Sequence, residues 1–166
     1  MNISEKALTV FGRHLEDESR CLSDLAAVLD DEAAALRRMA LEDLEALAHR
    51  KELLVSQHAN LARERRAFLA HLADGGPPPS ISALIEHAPA NVRVTLTDIK
   101  NRLAELSEAV RTQNMRNQTF AQTGRELVNG LFQILGGLHA PRNSTYSARG
   151  RIRSHLLAHS TSRGSR

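Results

Sequence analysis

Tryptophan is missing from this chain, and aromatic residues make up only 3% of it, as one Tyr and four Phe. A core with so few large rings has to be assembled from Leu, Ala and Val, which suits helices packed side by side. A β-sandwich or an enzyme cleft draws on more aromatic surface and more turn residues. Cysteine occurs once, at Cys21, which excludes an intramolecular disulfide and a cysteine-only metal site and fits a reducing compartment. Cys21 lies beside Leu22 of an apolar seam, where a thiol serves as a small apolar filler. No run approaches the roughly 18 apolar residues that a membrane span needs. The opening MNISEKALTVFGRHLEDESR lacks the apolar centre of a signal peptide. The expectation is a cytoplasmic protein without membrane insertion.

Acidic residues are absent from 139–166, which carry six Arg: Arg142, Arg149, Arg151, Arg153, Arg163 and Arg166. Removing those six from the net charge of +3 leaves −3 for residues 1–138, so the basic character belongs to the tail and the body is mildly acidic. The tail is rich in Ser, Thr and Arg and has no sustained apolar pattern, which predicts disorder when free. Ile152, Leu156 and Leu157 supply one helical turn of apolar face for a partner. The division expected is a helical domain over 1–138, long enough for one core, and a basic flexible tail over 139–166.

What is present is heptad spacing. Leu8, Leu15, Leu22, Leu29 and Leu36 recur every seven residues, with Phe11, Leu25 and Met39 in the second seam position and Glu18 and Glu32 interrupting it. Residues 1–72 hold one Gly, Gly12, and no Pro, so they read as helix almost throughout. A second stripe, Leu47, Leu54, Leu61 and Phe68 with Leu44 and Leu72, is out of phase with the first, since Leu36 and Leu47 stand 11 apart. A tight turn near 39–42 or a stutter in one helix explains that. The turn is favoured, because one helix of about 68 residues would span about 100 Å with nothing to cover its seam.

The breaker Asp74-Gly75-Gly76-Pro77-Pro78-Pro79 follows, then a short helix opened by Ser80 and ended by Pro89. The third long helix is predicted from Ala90 to about Leu135, stopped by Gly136-Gly137. Its seam runs Leu96, Ile99, Leu103, Leu106, Val110, Gln113, Asn117, Phe120, Gly124, Leu127, Leu131, Ile134 and Leu138 without a slip. Near its end Val128, Phe132 and Leu135 widen the stripe. The extra width either packs inside the bundle or meets a further partner, the short helix or a bound protein. The fold class expected is all-α, an antiparallel bundle of three long coiled-coil-like helices plus one short helix, with a disordered C-terminal tail.

Candidates for chemistry are few. No glycine-rich phosphate loop is present, and His14, His49, His58, His71, His87 and His139 share no ligand spacing. His155 and His159 stand four apart, but in the tail. No cofactor, metal or catalytic residue is expected. Arg50-Lys51 and Arg63-Glu64-Arg65-Arg66 are interleaved with carboxylates, which reads as a mixed solvated face. With one tail aromatic for base stacking, stable nucleic-acid binding is not expected either. Gln113, Asn114 and Asn117 interrupt the third seam, either to fix register or because the bundle frays there.

Taken in order, the long first helix, LEDLEALAHRKELL, the Asn114-Met115-Arg116-Asn117 spacing, LFQILGG and Thr145-Tyr146-Ser147-Ala148-Arg149-Gly150 resemble the FlgN-type flagellar export chaperones over most of residues 5–150. The Arg-rich extension after Gly150 departs from that plan. The resemblance implies a cytosolic, non-enzymatic chaperone of type III secretion. Its cargo is the C-terminal helical segment of flagellar hook-associated (junction) proteins, which it keeps from assembling early and delivers to the export apparatus, at its gate or ATPase complex. It also implies cargo binding at the end of the third helix, here Leu127, Val128, Leu131, Phe132, Ile134, Leu135 and Leu138. Docking to the export gate is implied at Tyr146 and Gly150. The widened stripe points independently to the same end of that helix. The alternative from the heptads alone is a self-associating coiled-coil adaptor.

Overall fold

The structure, a computed structural model, describes residues 4–73 and 76–139, the last four by backbone alone. Among the described residues there are four helices and no strand: α1 (Glu5–Arg38), α2 (Leu41–Leu72), α3 (Ile81–Glu86) and α4 (Ala90–His139). Two compact units are distinguished, Met1–Gln122 and Thr123–Arg166.

In the first unit, Ser4 caps α1 by accepting a hydrogen bond from the Ala7 amide at 3.3 Å, and Ser80 caps α3 by accepting from Ala83 at 3.1 Å. The phase change after Leu36 is a turn. Met39 takes the left-handed conformation at φ 54°, with its amide donating to Leu36 and that of Ala40 to Ala35. These two bonds close the end of α1 in a Schellman motif that usually takes glycine. A Cβ is strained there, and Met39 is largely exposed, so it gains little burial in return. Met39→Gly is expected to raise stability by about 1 kcal/mol. A shift in thermal midpoint reads this out, and a fall of that size would rule out conformational strain as the controlling term.

The core forms where the first seam predicts it. Leu8, Phe11 and Leu15 bury with Leu69, Leu84, Ile85, Ala88 and Leu96, while Leu22, Leu25 and Leu29 bury against Leu54, Leu103, Leu106 and Val110. Phe11 stacks on Phe68 with ring centroids 6.4 Å apart. Gly12 faces Leu96 of α4, and a Cβ there would make ordinary van der Waals contact with it at 3.4 Å. Helix α2 returns antiparallel to α1, and α4 then runs in the direction of α1, with Leu96 near Gly12 and Asn117 bonded to Leu29.

The α2 stripe Leu47, Leu54, Leu61 and Phe68 is only half-buried, and the residue of α2 that is fully buried is Leu69. That helix meets α1 along one side, so its stripe borders the core without being enclosed. Gly136-Gly137 does not stop α4, which stays helical to His139. Glycine weakens a helix by only about 1 kcal/mol per residue, and a stop needs a left-handed or capped residue as well.

Candidate functional site

The residues pointing to a binding function lie in the second unit, of which α4 residues 123–139 are described. Six of the seven expected cargo-binding residues have described side chains, and all six face solvent. Exposure is 65% at Leu127, 39% at Val128, 52% at Leu131, 67% at Phe132, 63% at Ile134 and 54% at Leu135. Leu138 is helical, but its side chain falls outside the described residues. Both parts of the stripe, the seam positions and the widening at Val128, Phe132 and Leu135, are therefore open. The short helix is engaged elsewhere, with Leu84 and Ile85 in the core beside Phe11. Tyr146 and Gly150, and with them Ile152, Leu156 and Leu157, lie outside the described residues.

Within α4 the seam is continuous in sequence but not in burial. Leu96 is buried, Ile99, Leu103, Leu106 and Val110 are half-buried, Asn117 is buried, and Phe120 is 52% exposed. Spacing marks the apolar face of a helix, whereas burial requires another element to reach it. Asn117 stands where packing ends. Its amide donates to the Leu29 carbonyl at 2.7 Å and to Glu32 at 2.9 Å, and its oxygen accepts from Gln113 at 3.1 Å. Asn117 is thus buried and bonded, as the register reading expects, while Gln113 and Asn114 are half-buried.

Glu32 also pairs with Lys51 of α2, so one carboxylate ties three helices together. One pair of heptads earlier, Glu18 is 2% exposed and accepts from Arg65 Nε at 2.6 Å. The two interruptions of the first seam are thus the acceptors of two interhelical ion pairs. A sequence signal for this existed: Glu18 and Glu32 are 14 apart, as are Lys51 and Arg65, which is the match two antiparallel helices need. Arg65 is thereby withdrawn from the basic cluster at 63–66, and Arg66 Nε donates to the Ala62 carbonyl.

Cys21 is buried, and its thiol donates to the Leu54 carbonyl at 3.4 Å. Burial first, then the carboxylates of Asp24 and Glu18, push this thiol above its ordinary range, which disfavours the nucleophilic thiolate. No group of three or more His, Cys, Asp or Glu among the described residues is placed to hold a metal. None of the described helices is long and apolar enough to cross a membrane.

An open apolar stripe of this kind suits a binding function. The family model described as FlgN protein matches residues 8–154, most of the chain. The chain belongs to the FlgN family. No curated protein and no solved structure matches it. FlgN membership makes it a flagellar chaperone in general terms, in a family of chaperones and not of enzymes. The FlgN match includes α1 from Leu8 onward and all of α2, α3 and α4, so the core and the exposed stripe both fall within the matched region.

Proposed function

We propose that the chain is a cytoplasmic export chaperone that holds the C-terminal helical segment of a hook-associated (junction) protein against the end of α4. It keeps that segment from assembling before secretion and hands it to the flagellar type III export apparatus. The observation carrying this reading is the stripe itself. Six large apolar side chains within residues 127–135 are between 39 and 67% exposed. Contiguous apolar surface on a water-soluble domain marks a partner site, and an amphipathic helix is the partner whose own stripe matches a helix face. Phe132 is the aromatic of the set and the natural anchor. On this reading residues 139–166 form a separate basic tail, and the contact with the export apparatus falls at Tyr146 and Gly150.

Calorimetric titration of the full chain with the C-terminal segment of a junction protein tests the site. Phe132→Asp is expected to weaken binding tenfold or more, about 1.4 kcal/mol, while leaving the thermal midpoint in place, because the side chain contributes little to the core. Unchanged affinity would remove the stripe as the cargo site. The same stripe would serve a self-associating adaptor, and sedimentation velocity separates the two: a mass rising with concentration and lost in Phe132→Asp favours the adaptor.

A further inference from the structure

A second apolar surface lies within the first unit, and its surroundings carry a definite charge. Ala33 and Leu36 of α1 and Phe120 of α4 line a notch between the two helices, with Gln113 and Asn117 on its α4 wall and Arg37 and Arg116 at its rim. Its wall is rigid, since Asn117 is bonded to Leu29, Glu32 and Gln113. Phe120 is 52% exposed there. Neither Arg37 nor Arg116 has an ion-pair or hydrogen-bond partner among the described residues. Glu32, the carboxylate bonded to Asn117, is itself held by Lys51. Asp30 and Glu108 line the adjoining hollow that Arg116 shares, and Glu108 is held there by Arg111. The notch therefore pairs a half-open ring with two guanidiniums whose charge its own walls do not neutralise.

We propose that this notch takes an acidic amphipathic helix of the client, with an apolar side chain seated on Phe120 and Leu36 and flanking carboxylates paired to Arg37 and Arg116. The inference rests on the chaperone reading and adds the chemical class of segment recognised. Charge decides the occupant. The chain's own tail, with six Arg and no Asp or Glu over residues 139–166, would bring like charge to the rim. A client helix bearing Asp or Glu beside its apolar stripe fits both the ring and the guanidiniums, and arginine recognises carboxylates in its fork geometry.

The test is calorimetric titration of the full-length protein with the C-terminal segment of a junction protein, at low and high salt. The variants are the double charge reversal Arg37→Glu/Arg116→Glu, then Phe120→Ala, and Phe132→Asp in parallel. The double reversal is expected to lose about tenfold in affinity at low salt, with the loss shrinking at about 1 M salt, where screening acts within about 3 Å. Phe120→Ala is expected to lose a similar factor at either salt. Circular dichroism melts identify any variant that has unfolded. Unchanged affinity in both notch variants alongside a weakened Phe132→Asp would overturn the notch and leave the chaperone reading standing. Weakened notch variants with an unchanged Phe132→Asp would support the notch and reject the stripe. If the unaltered protein fails to bind the segment at all, both readings fall. A dimer in sedimentation that the charge reversal abolishes would assign the notch to a second copy of the chain and overturn the client proposal.

Discussion

Arg65→Ala is expected to destabilise the protein by about 3–5 kcal/mol. Glu18 is 2% exposed and accepts from the guanidinium at 2.6 Å, with the Arg65 side chain itself only 19% exposed. Removing the arginine leaves a carboxylate in the helix interface with its charge uncompensated, and that desolvation is the source of the effect. In a chain of this size the thermal midpoint should fall by about 6–20 °C. The comparison variant is Glu18→Leu/Arg65→Met, in which no charge is left behind and which extends the heptad seam through position 18. That double variant is expected to recover most of the loss or exceed the parent. A loss under 1 kcal/mol for Arg65→Ala would mean that water reaches Glu18. A double variant as weak as the single would place the pair's value in its geometry and not in neutralisation. An exposed pair such as Arg20–Asp17 should contribute no more than about 1 kcal/mol by the same measurement.

Phe11→Ala is expected to cost about 3–5 kcal/mol, since it removes a fully buried ring and leaves a cavity. Its position makes the loss hard to repair. Phe11 stacks on Phe68 of α2 and shares a cluster with Leu84 of α3 and Leu96 of α4, so four helices would have to move together to fill the space. Urea denaturation should show a lower midpoint with an unchanged slope. A changed slope would show that the unfolded or native ensemble had altered as well. Phe120→Ala is the matched control on the same chain: half of that ring already faces water, so its stability cost should stay near 1 kcal/mol or below. The contrast between the two phenylalanines separates residues that hold the bundle from those left exposed.

The exposed apolar face of α4 was legible in the sequence because the helix keeps its apolar spacing past Asn117, where packing within the bundle ends. An apolar residue that the core does not use still advertises itself by its period. The rim of the notch was not legible. Arg37 and Arg116 stand 79 positions apart in ordinary helical contexts, and their charges become a site only when α1 and α4 are laid together. The partners of Glu18 and Glu32 were half legible: the interruptions stood out against the leucines, while the matching 14-residue spacing of Lys51 and Arg65 was hidden in a basic face.

By itself the sequence determined the helices, most of their ends and the apolar face of each. Periodicity, serine caps and the Gly-Pro breaker are properties of neighbours along the chain, and they act whatever the rest of the molecule does. Its motifs in order also indicated the family. Tertiary structure alone decided which apolar residues are covered. Leu8 and Leu127 carry the same signal in a heptad, yet one is 1% exposed and the other 65%. It also decided that α2 is only half enclosed and that Asn117 is buried and bonded to α1. Each of these depends on contacts between distant segments, such as Asn117 with Leu29 across 88 positions. The spacing of a helix states that a face needs cover, and only packing in three dimensions settles whether the protein supplies that cover or leaves it to another molecule.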